Sequence, residues 1–489
     1  MRQRALSALV LVTIAALSQP PQAMAQADGE VITKQYNDGS VYEGTFKDGL
    51  QDGMGKYRLP SGFEYEGQWV KGQIEGQGRA RYANGSVYEG AFVAGKPQGA
   101  GKITYADGGS YEGAWVAGEI TGTGRAAYAD GSVYEGQFKA GKHDGAGVLT
   151  DAKGLRYEGQ WRAGVKEGKG RITYPDGGSY DGDFKADQRD GIGTLSLPGG
   201  LVYTGQWQGG QINGRGKLTQ GNGDTYEGAF VMGKREGEGR MNYADGSAYQ
   251  GSFKADQRQG QGSFTGADKT AYRGAWVEGR MEGQGQLTYP DGSVYIGNFK
   301  ANLPDGQGKI TYPGGASYDG QWVAGVMTGK ATLTHADGSS YTGDVVAGKP
   351  EGRGVMTYPD GYSYDGQWKS GQGDGMGRAT WADGTVYEGA FKADQRHGKG
   401  KLTQADGFSY DGDWEAGEMQ GKGLAIYPTG DQYEGAFVKG KRQGPGKLTY
   451  KNGETSEGIW ENGILRAPLP AAPATPETTA TPEAPAANP

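Results

Sequence analysis

A tyrosine recurs every 23 residues, with no insertion or deletion, from Tyr42 through Tyr65, Tyr88 and Tyr111 to Tyr433. A nineteenth step lands on Ser456, in a unit cut short, and each of these positions is followed two residues later by glycine. A register this long leaves one kind of fold: tandem units that each bury surface on their neighbours. Composition agrees. The chain of 489 residues holds 96 Gly and only 35% hydrophobic residues, yet 31 Tyr and 10 Trp. That is too little aliphatic material for several globular cores and too much aromatic material for a disordered chain.

Four residues after each tyrosine stands an aromatic, as in Phe46, Trp69, Phe92, Trp115, Phe138 and Trp161; only Val345 departs. Phe and Trp alternate until Phe230 is followed by Phe253, which points to duplication of a two-repeat unit with one odd slip. The recurring Lys185-Ala186-Asp187-Gln188-Arg189 and Lys254-Ala255-Asp256-Gln257-Arg258 fit that slip. The second half of each unit carries Gly-x-Gly, as in Gly76-Gln77-Gly78, and then a turn such as Tyr105-Ala106-Asp107-Gly108. Glycine supplies the positive φ of tight turns and Asp or Asn tolerates it. Each repeat therefore reads as two short strands with a turn at either end.

Alternation along a strand assigns the faces. Tyr65, Gly67 and Trp69 point one way, and Glu66, Gln68 and Val70 the other. On a return strand Gly99, Gly101, Ile103 and Tyr105 share a face, opposite Ala100, Lys102 and Thr104. One face is thus aromatic, aliphatic and glycine, and the other largely polar. Glycine beside the rings lets them lie over the neighbouring backbone, so the sheet can make its own thin core.

Units such as Tyr88-Glu89-Gly90-Ala91-Phe92-Val93-Ala94-Gly95-Lys96 followed by Gly99-Ala100-Gly101 resemble MORN repeats. The resemblance runs from about residue 36 to 463, and Val345, Ser456 and Gly329-Lys330-Ala331 depart from the pattern locally. It implies an all-β fold, an elongated, twisted, single-layer antiparallel array of β-hairpins. It also implies scaffold roles, dimer formation and a contested affinity for phospholipids. At two strands per repeat and about 4.8 Å each, nineteen repeats would extend roughly 180 Å before twist and curvature.

The ends read differently. Arg2 and Arg4, the apolar run Ala5 to Leu17 and Ala23-Met24-Ala25 make residues 1–25 a secretory signal cleaved after Ala25. A run of 13 residues is too short to span about 30 Å of hydrocarbon as a helix. The expected organisation is a signal over 1–25, a lead-in over 26–35, nineteen units over 36–465 and a disordered Pro/Ala/Thr-rich tail over 466–489. The chain has no cysteine, which fits a bacterial periplasmic or secreted protein. Losing Arg2 and Arg4 takes the formal charge from −7 to −9, which disfavours nucleic acid and anionic lipid as partners.

Motifs for chemistry are absent or out of context. Gly90 to Lys96 and Gly343 to Lys349 match the glycine and lysine spacing of a P-loop, but Pro97 and Pro350 follow where Ser or Thr is needed. His143, His335 and His397 occupy different repeat positions and build no common site. The acids after each tyrosine (Glu43, Glu66, Glu89, Glu112, Glu135, Glu158, Asp181) should stand about 10 Å apart, too far to share one Ca²⁺ at about 2.4 Å. Their expected partners are cross-strand cations: Lys56, Arg79, Lys102, Arg125 and Arg171. No catalytic, cofactor-binding or metal-binding residue is assigned.

The candidate interaction or packing face is Tyr65, Trp69, Tyr88, Phe92, Tyr111, Trp115, Tyr134, Phe138, Tyr157 and Trp161. Self-packing is the expectation for those rings, and an exposed groove is the alternative. The functional expectation is a non-enzymatic scaffold of the periplasm or cell exterior, presenting its surface to a protein partner or to itself as a homodimer. The alternatives are a peripheral lipid-binding module, with weak lipid contact, and a glycan- or cell-wall-binding module using the aromatic face.

Overall fold

The computed structural model describes residues 29–468. Among these it contains 39 strands, numbered in chain order from β1 (Ile32–Gln35) to β39 (Ile464–Pro468), and no helix. The expected signal segment and most of the expected tail lie outside the described residues. The chain divides into two units, residues 1–259 and 260–489. Within each, a strand pairs antiparallel with the strands immediately before and after it, giving a single-layer open sheet.

One repeat of the first unit shows how the sequence makes the hairpin. In β6 (Val87–Val93) and β7 (Lys96–Thr104), Tyr88 faces Ile103, Gly90 faces Gly101 and Phe92 faces Pro97. One residue separates Gly90 from Phe92, but three separate Pro97 from Gly101, so the return strand bulges. Gly99 lies in that bulge at φ +76°, a conformation that costs an L side chain energy. The first glycine of Gly-x-Gly thus bends the strand. The second, Gly101, lies under the Tyr88 ring, where a Cβ would collide with the ring and its hydroxyl. From there β7 pairs regularly with β8 (Ser110–Val116), Gly101 facing Gly113 and Ile103 facing Tyr111.

The core sits on the glycine-rich face. Tyr88 meets Phe92 of its own repeat edge-on at 5.0 Å between centroids and Trp115 of the next at 5.1 Å. In the first unit this chain of rings runs from Tyr42 to Phe253. Such pairs contribute about 0.5–1.5 kcal/mol each beyond the area they bury. Each tyrosine hydroxyl donates to the carbonyl three residues ahead, as Tyr88 does to Ala91 at 3.0 Å, so a buried polar group is satisfied. In the second unit the ring chain lapses once, where Val345 replaces the aromatic.

Hairpin tips tie each repeat to the one before. Ala94 (φ +48°) and Gly95 (φ +73°) both have positive φ, the requirement of a type I′ turn. The Ala94 amide donates to Glu75 Oε1 at 2.9 Å and the Gly95 amide to the Ile74 carbonyl at 3.0 Å, both on the preceding return strand. Where the second turn residue is Asp, as at Asp187 (φ +69°), its carboxylate also accepts from the Lys166 amide at 2.9 Å. That exchange gives the recurring Lys-Ala-Asp-Gln-Arg segment a structural role.

Two boundaries need correction. β1 starts at Ile32, inside the expected lead-in, and pairs with β2 (Val41–Lys47). At the other end β39 pairs with β38 (Thr455–Glu461) as far as Gly458 opposite Pro468, so residues 466–468 belong to the sheet and not to the tail. Pairing at a sheet edge uses backbone groups, and composition alone does not reveal it.

Candidate interaction surfaces

All ten candidate rings, Tyr65, Trp69, Tyr88, Phe92, Tyr111, Trp115, Tyr134, Phe138, Tyr157 and Trp161, are at most 3% exposed. They form one continuous packed row in the first unit, and their faces are spent on one another. Burial pushes the Tyr111 hydroxyl up to about 12, and that hydroxyl donates to the Ala114 carbonyl at 3.0 Å. These rings pack; the accessible surface lies elsewhere.

What covers them includes a second aromatic column. The turn residues Tyr36 and Tyr128 reach across the face to the residue fifteen positions on: Gln51 Nε2 donates to the Tyr36 hydroxyl at 2.9 Å, and Tyr128 pairs with His143 Nε2 at 2.7 Å. Arg442 approaches the Tyr427 ring at 5.9 Å from the same relative position and lies over Trp460 at 4.2 Å. The sequence signal was a tyrosine before most Asp-Gly turns, but its reach depends on the bulge.

The three histidines are dispersed. His143 is buried, stacked on Tyr134 at 3.6 Å, and desolvation lowers its pKa to about 4. His335 sits in a turn, closing it through its own amide, and His397 lies in β33 (Gln395–Thr403). Among the described residues no group of three or more His, Asp or Glu is placed to hold a metal ion. In the P-loop look-alike, Ala94 and Gly95 are the type I′ turn and Lys96 opens a strand.

The opposite face is largely polar, with exposed Val70, Val93 and Val116 among its apolar members, and carries charge pairs across strands. Lys56–Glu66 (3.0 Å), Arg79–Glu89 (3.0 Å) and Arg125–Glu135 (2.9 Å) form as the register predicts. Lys102 and Arg171 stand opposite Glu112 and Asp181 without closing an ion pair. All these side chains are about half exposed, so each pair adds roughly 0–1 kcal/mol. They make a charge-balanced face rather than a charged patch.

The profile of the MORN repeat family matches eighteen segments, from residues 42–63 and 65–87 through 410–432 and 433–455. The chain belongs to the MORN repeat family. The nineteenth unit, outside those segments, still folds as a hairpin, with Trp460 buried and its Nε1 donating to the Gly446 carbonyl at 3.0 Å. Among curated proteins, Alsin of Rattus norvegicus is 44% identical over 54 residues, 10% of this chain and 3% of Alsin. Human Alsin is 41% identical over 54 residues with the same coverage. This MORN chain therefore spans only a few per cent of the length of those relatives. Among solved structures, the TCP domain of SAS-4 from Drosophila melanogaster aligns at 14% identity and a TM-score of 0.20, covering 43% of this chain and 97% of that one. The TCP10 domain of Danio rerio CPAP aligns at 14% identity and 0.17, covering 49% and 91%.

Proposed function

We propose that this MORN array is an exported, non-enzymatic scaffold of the periplasm or cell exterior of a bacterium, presenting its sheet to a protein partner or to a second copy. The observation that supports it most is the burial of the candidate rings, which leaves a charge-balanced polar face and two rows of turns as the surface on offer. A sugar stacking on that row of rings would find them covered, so the glycan reading through the aromatic face loses its footing. A lipid reading would need cations in excess, whereas the formal charge is −7 and Lys56, Arg79 and Arg125 are each paired with an acid, Glu66, Glu89 and Glu135. The test is fractionation of the source organism expressing the tagged chain, with intact-mass measurement and cross-linking in place. The proposal expects a chain beginning at residue 26, outside the cytoplasm, cross-linked to a defined protein or to itself. A cytoplasmic chain retaining residues 1–25, or one recovered only with vesicles, would overturn it.

A further inference from the structure

The turn tyrosines Tyr36, Tyr128 and Tyr427 each meet the side chain fifteen residues on, Gln51, His143 and Arg442. At Tyr358 that position is Gly373, which has none. Tyr362 stands where neighbouring repeats such as those at Ser339 and Thr385 carry a small hydroxyl residue. Its ring lies 5.4 Å from Tyr358 at 38° and 5.3 Å from Trp381 of the next turn at 47°. The result is a run of three tilted rings on the turn edge of the second unit. Tyr358 is 37% exposed, Tyr362 and Trp381 are partly exposed, and the Tyr358 hydroxyl makes no hydrogen bond within the described residues.

Carboxylates surround this platform. Asp360 is fixed by the Tyr362 amide at 2.9 Å, Asp394 by the Gly373 amide at 2.7 Å, and Asp337 by the Ser339 amide at 2.9 Å and hydroxyl at 2.7 Å. Burial, then the fields of Asp394, Asp337 and Asp360, push the Tyr358 hydroxyl up. The nearby cation, Arg396, is committed elsewhere: its guanidinium donates to the Gly417 carbonyl at 2.6 Å and lies over Trp414 at 4.2 Å. His335 opens the same turn as Asp337, whose carboxyl is held below its usual range first by the Ser339 hydroxyl and amide and only slightly by His335. Exposed aromatic faces beside unneutralised carboxylates complement a cation that can stack, and a guanidinium does so best.

We propose that Tyr358, Tyr362 and Trp381 form a docking platform for an arginine-rich peptide segment of a protein partner, with Asp337, Asp360 and Asp394 supplying the countercharge. This deepens the scaffold reading by giving one partner a chemistry. Its failure would leave that reading standing, since the latter turns on export and cross-linking. The experiment titrates a capped hexa-arginine peptide into the full chain by calorimetry at low and moderate salt, with cellohexaose as a neutral sugar in parallel. The platform predicts saturable peptide binding, weakened at least fivefold by Trp381→Ala and by Tyr358→Ala, and about threefold by Asp360→Asn. Trp381→Phe, which keeps a ring, should retain most of it, as should Asp107→Asn at an acidic turn of the first unit. Circular dichroism confirms that each variant is folded. Equal binding by Trp381→Ala, equal loss on Asp107→Asn, preference for the sugar, or no binding at millimolar peptide would each overturn the proposal.

Discussion

At the scale of single residues, the repeat is specified by what lies beneath and beside one tyrosine. Gly101→Ala would drive a Cβ into the Tyr88 ring, and overpacking of this kind costs about 1–3 kcal/mol. Urea titration of the variant against the parent measures it, and an unchanged midpoint would mean the ring has room to move. The aromatic and glycine columns were legible in the sequence because alternation and a fixed period assign them to one face. The bulge at Gly99 was not, since two extra residues on a return strand leave the 23-residue spacing untouched. His143 gives a second residue-scale prediction. Desolvation lowers its pKa in the fold to about 4, against about 6.5 unfolded, so between those values only the unfolded chain takes up the proton. Stability from this group is fully present above about pH 6.5 and falls as pH drops toward about 4, by about 3 kcal/mol in all. His143→Met, the residue found at the same repeat position at Met281, Met327 and Met419, should show a shallower acid loss. Identical acid titration of stability in the two chains would refute the assignment.

At the scale of the element, each hairpin leans on its predecessor through its tip. Glu75 accepts the Ala94 amide, and Gln98, Asp144 and Glu167 play the same part for Ala117, Ala163 and Ala186. Alanine in a left-handed conformation is unfavourable by about 1–2 kcal/mol, so a turn that uses it depends on what holds its amides. Glu75→Ala should destabilise by about 0.5–1.5 kcal/mol, the net value of one such hydrogen bond. It should raise amide exchange at Ala94 and leave the turn at Ala163 unchanged; faster exchange at both would show that the caps are not local. A reader of the sequence sees acids and amides near the start of most return strands, but only the register shows that they serve the next repeat. The hairpin reading itself needed no such help, because two glycine-bearing turns per period already divide the unit into two strands.

At the scale of the whole molecule, the claim is that stability is a sum of repeats and the interfaces between adjacent ones. The all-β architecture was legible from the period, the alternation and the turn residues, and the family from the resemblance of the units to MORN repeats. The ends of the sheet were not, because Ile32 and Pro468 are recruited through backbone pairing. Position in the array should matter as much as residue type. Trp161 has a repeat on either side and meets Tyr134 of the preceding repeat at 5.5 Å and Tyr157 of its own at 5.0 Å, whereas Trp460 meets Tyr433 of the preceding repeat at 5.3 Å in a unit where Ser456 stands in the tyrosine position. Trp161→Ala should cost about 3–5 kcal/mol and Trp460→Ala much less. The most direct measurement is hydrogen exchange by mass spectrometry on Trp161→Ala under native conditions. The nearest-neighbour account predicts lost protection in the repeat of Trp161 and the one on either side, with the repeats around Tyr65 and Tyr226 as protected as in the parent. Uniform loss of protection across the first unit would mean that the unit opens as a whole, and would contradict the account.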